Sequence, residues 1–132
     1  MSWKINYDLT ANANFAYQKS KDSNSGSKIP DAPQNQFHIN LDWNLINDWK
    51  LNTELNYIGS RARSQGDTRN KIENYALTNV YLRKSVNESL NWGLSIRNLF
   101  DADEKVEPSN GTIAADLPIE GFSIYSDVSY MF

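Results

Sequence analysis

The sequence predicts an all-β fold, an antiparallel up-and-down meander of about six strands. Apolar and polar residues alternate with a period of two in six separate stretches, and helical spacing is sustained nowhere. The connections between these stretches are short and long in turn. Because neighbouring side chains of a strand point to opposite sides, such alternation predicts one apolar and one polar face.

The first three strands have the clearest alternation. They are predicted at residues 9–17, 37–43 and 49–57. Leu9, Phe15 and Tyr17 belong to the apolar set of the first strand, against Asn12 and Asn14 on the other face. The next two strands repeat this pattern, so all three are expected to expose the same two kinds of face.

The last three strands are predicted at residues 75–84, 90–100 and 121–132. Alternation is weakest in the fourth, where Val80 and Leu82 are assigned to the apolar face and Arg83 to the polar one. The sixth is the clearest, and its apolar set is Phe122, Ile124, Val128, Tyr130 and Phe132. The chain therefore ends on an aromatic residue of the apolar face.

The loop lengths extend this prediction to a transmembrane β-barrel. Residues 44–48 and 85–89 form short turns, whereas residues 18–36, 60–74 and 101–120 form long polar loops. All four tryptophans are expected near the short turns, with other aromatic residues near the long loops. Outer-membrane barrels have short periplasmic turns, long outer loops and two aromatic girdles. A soluble β-sandwich, with these aromatic residues in its core, is the alternative.

Short motifs near the C-terminus add a family resemblance. The final strand resembles the last strand of bacterial outer-membrane barrels, in which Tyr130 and Phe132 would form the C-terminal assembly signal. Residues 94–101, LSIRNLFD, and residues 75–80, YALTNV, are similar to the closing strands of TonB-dependent receptors. The resemblance implies an outer-membrane receptor that takes up a scarce ligand, most often a ferric siderophore, without catalysis or a cofactor. Its implied partners are membrane lipid, the barrel-assembly machinery and the small-molecule ligand.

The length of 132 residues is too short for a closed receptor barrel of about 22 strands. Residues 1–132 are therefore expected to form a C-terminal segment of such a barrel, with the plug domain and earlier strands absent. TonB would be engaged only through that missing plug, and no signal peptide is expected in this segment. A piece of another outer-membrane barrel, a porin or an enzyme, stays possible. The net charge of −3 gives no argument for nucleic acid.

The candidate site residues are four cations of one outer loop, Arg61, Arg63, Arg69 and Lys71, which could contact an anionic ligand. An ordinary solvated loop is an equal alternative, because the carboxylates of Asp67 and Glu73 lower the net positive charge of this loop. His38 and Asp42 share a face but are expected about 13 Å apart, too far for a catalytic pair. Residues 101–112 begin like a calcium loop, but Thr112 replaces the bidentate acid, so no metal site is predicted.

Overall fold

The computed structural model describes residues 1–23, 26, 28–103, 105–106 and 115–132. These residues form nine β-strands: β1 (Ser2–Lys4), β2 (Leu9–Tyr17), β3 (Asn35–Asn44), β4 (Trp49–Ile58), β5 (Tyr75–Ser85), β6 (Leu90–Arg97), β7 (Lys105–Val106), β8 (Leu117–Pro118) and β9 (Ser123–Tyr130). No helix in this described part is long and apolar enough to cross a membrane.

The main sheet is an antiparallel meander in the order β1-β2-β3-β4-β5-β6-β9, and β7 pairs with β8 in a separate ribbon. The predicted all-β meander is therefore confirmed. The additional strand β1 is only three residues long, too short for alternation to reveal it. β1 forms because this segment pairs with β2. The amino group of Met1 donates to the Ala13 carbonyl at 2.7 Å, and the Ala13 amide donates to the Met1 carbonyl.

The predicted end of the fifth strand is wrong. It was expected to continue to about Phe100, but β6 ends at Arg97. Asn98 and Asp101 have positive φ angles of 47° and 51°, which an extended strand does not allow. The sixth predicted strand is also shorter than 121–132, because β9 spans Ser123–Tyr130.

The register keeps the two faces separate across the whole sheet. Residues that pair directly lie on the same face, so a row of partners can be followed from strand to strand. The central apolar row consists of Ala11, Leu41, Thr53, Val80, Ile96 and Ile124. A parallel polar row consists of Thr10, Asp42, Asn52, Tyr81, Ser95 and Tyr125. The strands from β2 to β6 and β9 therefore contribute to one continuous apolar face and one continuous polar face.

The apolar face is uncovered in the described part of the chain. Ile124, Val128 and Tyr130 retain 56%, 68% and 60% of their accessible surface. Among the described hydrophobic residues only Ile72, in a long loop, is buried. A β-sandwich would need a second sheet over this face, and the only other described sheet is the two-residue ribbon β7–β8. The sandwich alternative is therefore wrong for the described residues.

The two ends of the sheet differ in their connections. Short turns at residues 5–8, 45–48 and 86–89 define the short-turn end, and residues 18–34, 59–74 and 98–122 define the long-loop end. The Asn6 side chain accepts hydrogen bonds from the amides of Asp8 and Leu9 at 2.8 Å, and Asn87 does the same for Ser89 and Leu90 at 2.9 Å. These matching Asx turns close two of the three hairpins locally.

The aromatic residues collect at the two ends, as predicted. At the short-turn end Trp43 pairs with Leu9, while Trp49 and Trp92 both pair with Lys84. Trp3 pairs with Ala11 in the neighbouring strand. Near the long loops, Phe15, Phe37 and Tyr57 follow one another in a single row. The central apolar row between them holds aliphatic and small residues from β2 to β9, and Trp3 of β1 pairs at its edge.

Candidate functional site

The long-loop end brings three loops into contact through ion pairs, and Arg61 makes the first of them. Its guanidinium lies 2.9 Å from the carboxylate of Asp31 in the loop 18–34, and its side chain is 6% exposed. The Asp31 amide also donates to the Ala62 carbonyl at 2.9 Å. Arg61 and the buried Ile72 exchange two backbone hydrogen bonds of 3.0 Å, which fold the loop 59–74 back on itself.

Arg63, Arg69, Asp67 and Asp116 form a second group, the four-charge cluster. Arg63 donates two hydrogen bonds of 2.7 Å to the two carboxylate oxygens of Asp116. Arg69 lies 2.5 Å from Asp67 and 3.1 Å from Asp116. Two-point pairing of this kind fixes the orientation of both groups, so the cluster joins the loop 59–74 to the loop 98–122.

The cluster shifts the ionisation of its members. The hydrogen bond from the Arg69 side chain lowers the pKa of Asp67 from 3.8 to about 2. The hydrogen bond from Arg63 lowers the pKa of Asp116, and the same contact raises the pKa of Arg63. The two arginines and two aspartates together carry no net charge at neutral pH. With its charges paired in this way, the four-charge cluster acts as a contact between the two loops.

We expect acid to open the four-charge cluster. A carboxylate whose pKa is lowered on folding stabilises the folded form above its unfolded value of 3.8, and this contribution disappears as pH falls toward 2. The distance between spin labels at Gln65 and Ala115 should therefore stay constant from pH 7 to about pH 4 and increase below it. A label pair at Tyr7 and Glu88, at the short-turn end, reports whether the whole fold has changed. Loop separation already at pH 6, or none at pH 2, would contradict the expectation.

The four cations predicted from the sequence differ in their surroundings. Arg61 and Arg63 are 6% and 9% exposed and paired with carboxylates, whereas Arg69 is 39% exposed. Lys71 is exposed and makes no ion pair with any residue in the described ranges. It lines a polar cleft together with Arg63, Asn70 and Asp116. Lys71 and Arg69 are therefore the two exposed cations of the set, and contact of the four with an anion stays a prediction.

Two lysines of the loop 18–34 were missed by the sequence analysis. Lys21 and Lys28 pair across an isolated β-bridge, which places two positive side chains directly opposite each other. With Arg63 they line an open groove of about 620 Å³. Gly26 turns the chain between them with a φ of 68°. Like charges in directly opposed positions repel, so an anion in this groove would relieve the repulsion.

Asn98 is a third residue that sequence reasoning missed. It is 3% exposed, and its side chain accepts from the Ala102 amide at 2.8 Å and donates to the Ala102 carbonyl at 3.0 Å. Its own amide donates to the Asn79 side chain at 3.0 Å. Asp101 accepts from the Phe122 amide at 2.9 Å. Asn98 and Asp101 of the motif LSIRNLFD thus shape the start and end of the loop 98–122. This motif is the sequence feature from which the role of Asn98 could have been predicted.

Glu120 organises a smaller group where β9 begins. Its carboxylate accepts hydrogen bonds from Ser123 at 2.6 Å and Tyr125 at 2.5 Å, and lies 3.4 Å from Arg97. The hydrogen bond from Ser123 contributes most to lowering the pKa of Glu120. The Arg97 guanidinium lies 5.2 Å from the centre of the Tyr125 ring. This group lies at the long-loop end of the polar face.

His38 and Asp42 have separate partners. The His38 ring lies 2.7 Å from the Asn56 side chain, and Asp42 accepts a 2.6 Å hydrogen bond from Asn52. No group of three or more His, Asp or Glu side chains suited to a metal ion occurs within the ranges the structure describes. Thr112 of the rejected calcium loop lies outside the described residues.

Tyr130 and Phe132, the two residues of the predicted assembly signal, contact each other through their rings. Tyr130 ends β9 and pairs with Leu90, and its ring meets Phe132 edge to face with ring centres 5.1 Å apart. Phe132 is fully exposed beyond the strand. Their proposed role as an assembly signal stays a prediction, because it concerns a partner outside this chain.

Comparison with known proteins places this geometry in a wider context. Residues 1–99 match the family model described as TonB dependent receptor-like, beta-barrel. No curated protein matches the chain. This chain is similar in fold to a mutant of the ferric enterobactin receptor of Pseudomonas aeruginosa, with 18% identity and a TM-score of 0.77 over 99% of this chain and 21% of that one.

Two further solved structures share the fold. The copper transporter OprC is 17% identical, with a TM-score of 0.76 over 98% of this chain and 22% of that chain. The ferric-catecholate import receptor Fiu of E. coli is 23% identical, with a TM-score of 0.74 over 96% of this chain and 19% of that chain. This chain therefore spans about one fifth of the length of each of these three structures.

Proposed function

The chain belongs to the TonB-dependent receptor-like β-barrel family, and from this premise we propose that it forms part of the wall of an outer-membrane receptor that imports a scarce ligand. The observation that carries the proposal is the uncovered apolar face, which the register continues across seven strands. Such a face is stable in lipid, where it removes apolar surface from water.

We propose that residues 1–132 are the C-terminal segment of this barrel. In the described sheet β1 and β9 are each paired on one side only. Unpaired strand edges are not tolerated within a membrane, so both need further strands as partners. The polar face would then line the lumen, and TonB would act through a plug domain belonging to another part of the receptor. The terminal Tyr130 and Phe132 would be recognised by the barrel-assembly machinery.

The proposed ligand is a ferric siderophore, and the neighbours whose names include ferric enterobactin and ferric catecholate support this choice. The copper transporter among the neighbours makes copper a second candidate. For an anionic ligand, Lys71 offers an exposed cation, and Lys21 and Lys28 offer a pair whose repulsion an anion would relieve. Arg61, Arg63 and Arg69 would contact the anionic ligand only if the ligand displaced the carboxylates that now pair with them.

The test uses the full-length receptor that contains this chain. Lys71→Gln and Lys28→Gln should each weaken binding of ferric enterobactin about 1.4- to fivefold, because an exposed charge contact contributes about 0.2–1 kcal/mol. Lys19→Gln is the matched control, since it removes one positive charge from an outer loop outside both groups. Binding would be measured by fluorescence quenching in detergent.

The outcomes separate the parts of this proposal. Uptake of copper but not ferric enterobactin by cells carrying the receptor would replace the siderophore with the second candidate. An equal loss for all three variants would show that only the total charge matters. A chain that stays monodisperse in buffer without detergent would contradict the membrane location itself.

A further inference from the structure

Lys84 is the one charged residue on the apolar face of the described seven-stranded sheet. Following the paired rows, the other positions of that face are aliphatic, aromatic or small and uncharged. The carboxylates of the sheet, Asp42, Glu54 and Asp127, all lie in polar rows. A lone cation on a lipid-facing surface is costly unless it reaches the interface or finds an anion.

Lys84 lies between two tryptophans at the short-turn end of the sheet. It pairs with Trp49 on one side and Trp92 on the other, and the two indole rings meet edge to face with centres 5.9 Å apart. The Lys84 ammonium lies 5.5 Å from the centre of the Trp49 ring and donates to the Asn47 carbonyl of the adjacent turn. The Trp92 indole donates to Ser126 at 3.0 Å, which fixes that ring.

We propose that the Lys84 ammonium, positioned beside Trp49 and Trp92, binds the phosphate of an anionic phospholipid headgroup. This inference rests on the membrane location proposed above. An ammonium has three donors, so the hydrogen bond to Asn47 leaves donors for phosphate oxygens. Tryptophans concentrate at the depth of the headgroups, where the indole N–H meets the polar layer and the ring meets the acyl chains. No carboxylate forms an ion pair with Lys84 within the described ranges, so the countercharge is supplied by the lipid.

The membrane leaflet follows from the topology. Lys84 is the penultimate residue of β5, and the turn 86–89 follows directly. The bound headgroup therefore belongs to the leaflet on the short-turn side. The Trp49 ring and the Asn47 carbonyl hold the ammonium in place, whereas a freely rotating surface lysine would contribute only general attraction to an anionic membrane.

Native mass spectrometry of the full-length receptor tests the proposal, with phosphatidylglycerol titrated into the detergent-solubilised protein. Lys84→Gln should weaken binding of the first lipid about fivefold, since one basic residue at an anionic surface contributes about 1 kcal/mol. Lys84→Arg should bind nearly as well as the unchanged receptor. Lys50→Gln is the matched control: it neutralises a lysine at the same height in the polar row, directly opposite Arg83.

The results distinguish this inference from the proposed function. A receptor that inserts into vesicles normally but binds phosphatidylglycerol equally with Lys84→Gln would overturn the headgroup site alone. Equal weakening by Lys50→Gln would show unspecific attraction and also overturn it. Displacement of the lipid by an equal concentration of glycerol phosphate would mean that the site takes free anions instead. Failure of the unchanged receptor to insert would contradict the membrane location.

Discussion

Ile39→Arg is expected to destabilise the full-length receptor by about 2–4 kcal/mol, the cost of an arginine on the lipid face near the middle of a membrane barrel. Ile39 pairs with Ala13 and Leu55 in an apolar row. It is five residues from Asn44 at the end of β3, which is about 16 Å of strand. At a tilt of about 45° this corresponds to a depth of about 12 Å, close to the centre of an apolar band about 25 Å tall.

Asn40→Arg is the matched control for this prediction. It introduces the same side chain one residue further along β3, but on the polar face, opposite Asn12 and Glu54. Water and the Glu54 carboxylate can accommodate the charge there, so the free energy of unfolding should change little. Unfolding of both variants in lipid vesicles would be compared with the unchanged receptor. Equal costs for the two substitutions would mean that the apolar face does not meet lipid.

Asn98→Ala should loosen the loop 98–122 by about 2–5 kcal/mol. The change leaves the partly buried amide and carbonyl of Ala102 without the Asn98 side chain, at about 1–3 kcal/mol for unsatisfied groups. It also places alanine at a φ of 47°, which costs about 1–2 kcal/mol in the left-handed region. Hydrogen exchange of the segment 98–103 in the full-length receptor measures this local opening.

Asn98→Gly separates the two contributions. Glycine adopts the positive φ freely, so this variant should lose only the side-chain hydrogen bonds and should be less open than Asn98→Ala. Phe100→Ala is a control in the same turn, because its ring is 73% exposed and its truncation should leave exchange unchanged. If Asn98→Gly exchanged as fast as Asn98→Ala, the positive φ would contribute nothing. If both exchanged as slowly as the unchanged protein, Asn98 would not hold the loop.

The strands were predictable because alternation is a local property. The first predicted strand, residues 9–17, agrees with β2 to the residue, and the others begin within two residues of their observed starts. Strand ends were less predictable. Apolar residues continue through Leu99 and Phe100, yet β6 ends at Arg97, because the hydrogen bonds of Asn98 favour a turn over continued pairing.

The long loops required the tertiary structure. Arg61 and Arg63 belong to the four loop cations that the sequence singles out as candidate anion contacts, but their partners Asp31 and Asp116 lie 30 and 53 residues away along the chain. Nothing local in the sequence indicates such a pair, because loops have no period that fixes which residues meet. The same is true of Lys21 and Lys28, which oppose each other only once the loop 18–34 is folded.

The sequence by itself determined the two faces, the number and order of the long strands, and the ends at which tryptophans and long loops collect. These features follow from side-chain alternation and chain connectivity, which act between neighbours. Only the tertiary structure decided which charges meet across the loops, and that Lys84 lies between Trp49 and Trp92. Such contacts depend on strand register and loop closure, where residues distant in sequence are brought within a few ångströms.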